Sequence, residues 1–339
     1  MAGTPFAPRW CFTCVFHADL CETAQSTKGN RLKPVMYHYV RPPAPDLPHH
    51  PYLDLASFRL QLDYFAANFG FVARDAFVSW LDGGKAPAGV LLTFDDGLRD
   101  HAEFVLPVLR ERGLFGIFYM CSSPLVEGRI LDVHKVHLAL GRLGGKAALA
   151  WVTSNAPGIL PACDDREPIQ YAAQSSDRAT KQLKHAFNWL PPNEERSAAL
   201  DTLLDFAFEG QPPLWRDIYC DRSAIKSLLD AGLAVGPHSH THSVPALLGL
   251  EQQRQEIARS CEVIEDFGGS RKWGYCYPHG VPQALTPECE EIVAASGCDL
   301  AFAVGPGDIV DRLIQTPCFA LPRHNCNAFP HGKVSYTAA

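Results

Sequence analysis

Apolar positions along the chain follow two alternating patterns. Short unbroken apolar runs at 34–40 (PVMYHYV), 90–94 (VLLTF), 116–120 and 233–235 read as buried strands, and 273–277 and 300–304 extend the series. Between them lie stretches at helical spacing. Residues 55, 58, 62, 65, 66 and 69 are apolar and predict a helix over 55–69. Residues 102–112 predict another, closed by Gly113. Asp221 is placed to cap a helix that runs through Leu229 and ends near Gly232. Further helices are expected over 250–267 and 285–295. Pro42, Pro43, Pro45, Pro48 and Pro51 exclude helix from the loop after the first strand. Strand and helix in alternation predict an α/β fold with a parallel sheet, doubly wound or barrel. In such folds the chemistry gathers at the carboxyl ends of strands.

The alternation is interrupted once. Residues 128–218 are rich in Ala, Leu and polar residues at helical spacing, with Pro191-Pro192 and Pro212-Pro213 as breaks. They read as a mostly helical insertion. The organisation expected is a poorly structured extension at 1–32, a first part of the main domain at 33–127, the insertion at 128–218, a second part at 219–330 and a tail at 331–339. Trp151, Trp189 and Trp215 in the insertion read as core residues, with stacking on sugar rings as the alternative. The insertion is also a candidate homo-oligomer interface.

Composition narrows the partners. The 339 residues carry 30 Lys+Arg against 37 Asp+Glu, a net charge of −7, with no basic run, which argues against nucleic acid. No apolar stretch is long enough to span a membrane. The 12 cysteines are scattered through a long chain and read as reduced, buried residues rather than a disulfide framework. Cys11, Cys14, His17 and Cys21 crowd the head; an unstructured start is the reading there, a small zinc knot the alternative. Arg9 and the short run 10–16 make a poor signal segment, so the expectation on localisation is cytoplasmic.

Two features carry the chemistry. Thr93-Phe94-Asp95-Asp96-Gly97 sets two adjacent carboxylates at the end of a buried strand, where one can bind a metal and the other act as a base. His238-Ser239-His240-Thr241-His242 follows the strand at 233–235. His238 and His242 are four apart, so one helical turn would bring both imidazoles to one face. Two His and one Asp with open positions make a hydrolytic metal site. Weaker features follow. Tyr275-Cys276-Tyr277-Pro278-His279-Gly280 is a rigid turn at another strand end, and Leu321-Pro322-Arg323-His324 closes the sequence pattern. Tyr277, Pro278, His279, Gly280 and His38 are candidate substrate-binding residues.

In this order, Thr93-Phe-Asp-Asp-Gly97, His238-Ser-x-x-His242 and Tyr277-Pro-x-Gly280 resemble the polysaccharide deacetylases of the NodB-homology type, carbohydrate esterase family four. Val35-Met-Tyr-His38 and Leu321-Pro-Arg323 resemble that family's opening strand and closing motif. The resemblance spans about 34–325. It implies a distorted (β/α) barrel, with Asp96, His238 and His242 holding one divalent metal, Zn²⁺ first, with Co²⁺, Ni²⁺ or Mn²⁺ as alternatives. It implies Asp95 as catalytic base and an N-acetylated carbohydrate as substrate. Where relatives carry an Arg that orients the base, this sequence has Cys276; Arg323 is the candidate substitute. The family's acid-bearing Leu-x-His motif has no clean match. His324 is the nearest candidate for the general acid, with His38 and His279 as rivals. His134, His137 and His240 read as structural or solvated. The leading function is a metal-dependent N-deacetylase acting on a polysaccharide or glycan precursor. The alternatives are a hydrolase of another C–N amide, of ureide or cyclic imide type, and a non-catalytic carbohydrate-binding relative.

Overall fold

The computed structural model describes residues 31–161, 171, 176–191, 193–310 and 319–335. The Cys11, Cys14, His17 and Cys21 head lies outside the described residues. The chain opens with β1 (Leu32–Tyr37) and the short strands β2 (Val40–Arg41) and β3 (Leu53–Asp54). Helix α1 (Leu55–Asn68) follows, capped by Asp54, whose carboxylate accepts from the N–H groups of Ala56 and Ser57. Next come α2 (Arg74–Leu81), β4 (Gly89–Phe94), α3 (Leu106–Arg112) and β5 (Gly116–Met120). The run 128–218 lies between α4 (Ser123–Glu127) and α9 (Arg222–Asp230) and contains α5 (Asp132–Asn155), α6 (Arg178–Asn188), α7 (Glu194–Ala207) and α8 (Trp215–Ile218). The remainder is β6 (Ala234–Pro237), α10 (Leu250–Asp266), β7 (Tyr275–Cys276), α11 (Pro287–Ala295), β8 (Ala301–Phe302) and β9 (His324–Asn325).

Five strands form a parallel sheet in the order β6-β5-β4-β1-β9. Every residue of β4 and β5 is buried. That is why these strands read as unbroken apolar runs rather than alternating ones. A second parallel pair, β7-β8, meets the first sheet near β9: the Leu321 N–H donates to the Ala301 carbonyl and the Ala303 N–H to the Leu321 carbonyl. Among the described residues no strand pairing links β7 to β6. Side chains span that gap: the Tyr119 hydroxyl donates to the Trp273 carbonyl at 2.7 Å, and His238 Nδ1 lies 2.8 Å from the Cys276 carbonyl.

The sheet packs against α1, α3 and α9 through a core that includes Phe58, Leu62, Phe94, Leu109, Phe118 and Ile225. Helices α5, α6 and α7 share a separate apolar core around Val136, Leu140, Leu183, Phe187, Leu200 and Leu203. Helix α5 kinks at Gly144, whose φ of 74° and ψ of 161° suit glycine far better than any L-residue. Trp189 is buried, while Trp151 is half-buried and contacts Phe206.

The sequence patterns and the elements differ in places. Helix α2 has only two buried positions, Phe77 and Trp80, too few to make a periodic signal. The run 273–277 pairs only over Tyr275–Cys276, because Arg271–Trp273 is a 3₁₀ turn and Gly274 sits at a φ of 86°. The helix expected over 102–112 begins as a π turn at His101–Val105 before α3. The seven described cysteines are all free and buried.

Candidate active site

Strands β4 and β6 flank β5, so the segments leaving their carboxyl ends are neighbours. After β4 come Asp95 and Asp96; after β6 comes the run 238–242. Asp96 turns at a φ of 76° and Gly97 follows at 67°. A left-handed aspartate is uncommon and is held only where its surroundings over-determine it. At Gly97 a Cβ would lie 3.0 Å from Met120 Cγ, so the turn passes directly over β5.

The two histidines converge on one oxygen. Nε2 of His238 and Nε2 of His242 lie 3.3 and 3.2 Å from Asp96 Oδ1. These three donor atoms lie within 4.8 Å of one another and could hold a metal ion. The expected helical turn is not what joins them. Residues 238–242 form a loop in which Ser239 and His242 both adopt left-handed φ, 63° and 61°. The loop is braced at several points. The Ser239 hydroxyl accepts from the His242 N–H at 2.9 Å, and the Glu256 carboxylate accepts from the N–H groups of His240 and Thr241 at 3.0 and 2.8 Å. His240 faces away from the cluster, between Ser122 Oγ at 2.7 Å and Glu127 at 2.9 Å.

The donor set fits a divalent cation. Asp96 Oδ1 is buried yet takes no well-formed hydrogen bond, a costly state for a carboxylate oxygen unless a cation shares it. The Nδ1 of His238 contacts the Cys276 carbonyl, which leaves Nε2 as its free lone pair, the usual outer support of a ligating imidazole. Burial alone would raise the Asp96 pKa, but His134, His238 and His242 together hold it well below the ordinary carboxylate range.

Asp95 sits in a different environment. Its two oxygens accept from the two terminal nitrogens of Arg323, each at 2.7 Å, a bidentate pair in which both partners are buried. Arg323 also donates to Thr93 Oγ1 at 3.1 Å and lies 2.9 Å from Cys276 Sγ. Burial would raise the Asp95 pKa; the Arg323 charge and hydrogen bonds overcome it and bring it to about 2. Asp95 is therefore ionised at neutral pH. Each oxygen keeps a second lone pair for a proton.

The remaining sequence candidates divide. His38 Nε2 lies 4.0 Å from Asp95 Oδ2 on a side chain that is 43% exposed. His279 touches His242, with ring centroids 4.8 Å apart, and Trp189 at 5.6 Å. His279 and Gly280 make the turn at φ of 59° and 56°, with Pro278 buried beneath it. His324 does not join this group. Alternation along β9 turns it away from the face that Arg323 occupies, and its Nε2 is 2.9 Å from Asp308. Tyr277 does not line the site either: it packs with Tyr275, ring centroids 5.3 Å apart, in the core beneath α10 and α11.

One residue read from sequence as structural or solvated, His134, touches the cluster, and Tyr219 stands behind it. His134 Nε2 lies 3.1 Å from Asp96 Oδ2, and its Nδ1 lies 2.6 Å from the Tyr219 hydroxyl. No sequence signal distinguishes His134 from His137, since both recur at helical spacing.

A cavity of about 660 Å³ opens beside the cluster, lined by His242 and His279 on one side and by Lys135, Asp201, Leu204 and Trp215 on the other. The sequence model of the family described as polysaccharide deacetylase matches residues 206–295, which takes in the histidine loop and the turn at 277–280. Over that stretch, about a quarter of the chain, the sequence is similar to the polysaccharide deacetylases. Family members are hydrolases of carbon–nitrogen bonds that remove N-acetyl groups from sugars, and the chain is an enzyme of that class. Two solved structures share its fold. The Streptococcus pyogenes deacetylase PplD, in complex with acetate, is 12% identical with a TM-score of 0.52, over 88% of this chain and 92% of that one. IcaB from Ammonifex degensii is 18% identical with a TM-score of 0.52, over 89% and 95%. No curated protein sequence matches the chain. No helix among the described residues is long and apolar enough to cross a membrane.

Proposed function

We propose that this protein is a polysaccharide deacetylase that removes the acetyl group from an N-acetylated sugar with the help of one divalent ion, held by Asp96 Oδ1, His238 Nε2 and His242 Nε2. The observation that carries the proposal is the convergence of those three atoms beside a carboxylate that Arg323 keeps ionised. The donor set suits Zn²⁺ first, and Co²⁺, Ni²⁺ or Mn²⁺ as alternatives. A bound ion would supply Lewis acidity, polarising the amide carbonyl and drawing the pKa of a water from about 16 toward 7.

The chain's own residues do the rest. Asp95 takes a proton from the attacking water through an oxygen lone pair that Arg323 leaves open. Arg323 fixes the carboxylate plane, so the free lone pair points in one direction. As the tetrahedral carbon collapses, the C–N bond breaks. The sugar nitrogen must gain a proton or leave as an anion. The acid we assign is His38, not His324: its ring stands 4.0 Å from Asp95 and is open to a substrate, whereas His324 is committed to Asp308. Acetate and the free amine are the products. His279 lines the cavity, backed by the buried Trp189, and would face a sugar ring there. A cavity of about 660 Å³ is of the size that binds small ligands, which favours a short stretch of glycan over a long polymer track.

Asp95→Asn tests the assignment. The variant should keep its metal and lose acetate release from chitin oligomers by at least about 10²-fold, the range of a lost general base. Near-native turnover by Asp95→Asn would exclude Asp95 as the base.

A further inference from the structure

We infer that the root of the 128–218 segment completes the metal site, with His134 and Tyr219 as positioning residues for the metal-binding carboxylate. The inference rests on the metal reading above and goes beyond it, because neither residue belongs to the motifs that suggested that reading.

The carboxylate of Asp96, which can only accept when ionised, sets the direction of the relay. The Leu131 N–H donates to the Tyr219 hydroxyl at 3.1 Å. The Tyr219 hydroxyl lies 2.6 Å from His134 Nδ1 and, in the relay we infer, donates its proton there. That leaves the His134 proton on Nε2, which faces Asp96 Oδ2 at 3.1 Å. An ionised carboxylate can only accept, so each step has one donor and one acceptor. Every side chain in the relay is buried. The two Asp96 oxygens are thus divided: Oδ2 is taken by His134, and Oδ1 is left toward His238 and His242.

The placement is as specific as the bonds. Leu131 and His134 lie at the entry to α5, and Tyr219 lies just beyond the exit of α8. Tyr219 also forms a backbone bridge to Leu98, and the Cys220 N–H donates to the Gly97 carbonyl at 2.9 Å. Both ends of the segment therefore clasp the turn that carries Asp96. Asp96 needs the clasp, because its backbone sits at a φ of 76°. Outer partners of this kind commonly change metal affinity by about 10–100-fold.

The test is Zn²⁺ affinity of metal-stripped protein, read by competition with a chromogenic chelator, together with the visible spectrum of the Co²⁺ form. Wild type is compared with His134→Ala, His134→Gln, Tyr219→Phe and Asp96→Ala. His134→Ala should bind Zn²⁺ about 10–100-fold more weakly and alter the Co²⁺ bands. His134→Gln offers a side-chain N–H in reach of Oδ2 and should recover most of the affinity. Tyr219→Phe, which frees the imidazole without emptying its place, should weaken binding by about tenfold. Wild-type affinity in both His134→Ala and Tyr219→Phe, with binding lost in Asp96→Ala, would overturn the inference and leave the metal reading intact. A wild type with no Zn²⁺ affinity would overturn both. If His134→Ala fails to fold, Tyr219→Phe decides: wild-type affinity there refutes the relay.

Discussion

Replacing Arg323 by Ala is the most informative single perturbation of this site, because it should act on stability and on turnover by one mechanism. Arg323 and Asp95 are 1% and 2% exposed, and two hydrogen bonds of 2.7 Å join them. Removing one partner of a buried ion pair strands the other charge, at a cost of about 3–5 kcal/mol. For a chain of 339 residues the entropy of unfolding is about 0.7 kcal/mol per kelvin near the midpoint, so Tm should fall by about 4–7 °C. The effect has a pH signature. In the wild type the folded-state pKa of Asp95 is depressed to about 2 from an ordinary 3.8. Its stabilisation is therefore complete above the unfolded value and lost as pH falls toward about 2. Without Arg323, burial is unopposed and the folded pKa rises above the unfolded one. The variant is then penalised at neutral pH and relieved as acid protonates Asp95. Thermal unfolding of metal-stripped protein between pH 4 and 8 should show the wild-type lead shrinking on acidification. The double variant Asp95→Asn/Arg323→Ala should be more stable than Arg323→Ala at pH 8, since it buries no charge. A lead below about 1 kcal/mol at pH 8, or one that is constant with pH, would refute the reasoning.

His38→Ala should lower kcat for acetate release by about 10²–10⁴-fold at unchanged metal content. His324→Ala should stay within about twofold in rate and lose roughly 1 kcal/mol of stability, since it gives up one hydrogen bond and Asp308 keeps Lys33 at 2.6 Å; the reverse ranking would return the acid role to His324. Cys276 is buried, and burial pushes its thiol pKa up despite the nearby Arg323. It should resist a thiol reagent at pH 8 in the native state and react only on unfolding, as peptide mapping by mass spectrometry would reveal. Rapid native labelling of Cys276 would mean that the pocket behind Asp95 opens to solvent.

The strands of the main sheet were legible because burial on both faces leaves an unbroken apolar run, as in β4 and β5. The candidate metal-donor group was legible because an aspartate and two histidines stand just after two such runs. What joins His238 and His242 was not legible. Helical spacing suggested one turn, but left-handed φ at Ser239 and His242 folds a loop that brings the rings together by another route. The placement of His324 was not legible for a related reason. Arg323 and His324 are adjacent in sequence, and adjacency in a strand means opposite faces. Once Arg323 faces Asp95, its neighbour cannot. His134 and Tyr219 lie 85 positions apart and meet only because both ends of the 128–218 segment return to β4. No local pattern encodes that return. Helix α2 was missed because Phe77 and Trp80 alone make no periodic signal.

The most direct test of the account is elemental analysis of the purified wild type beside Asp96→Ala, with acetate release from chitin oligomers assayed on the same samples. About one divalent ion per wild-type chain is expected, lost in Asp96→Ala, with acetate released only by the metal-loaded protein. A wild type that takes up no ion even when Zn²⁺ is supplied, or an Asp96→Ala protein that keeps both ion and activity, would contradict it.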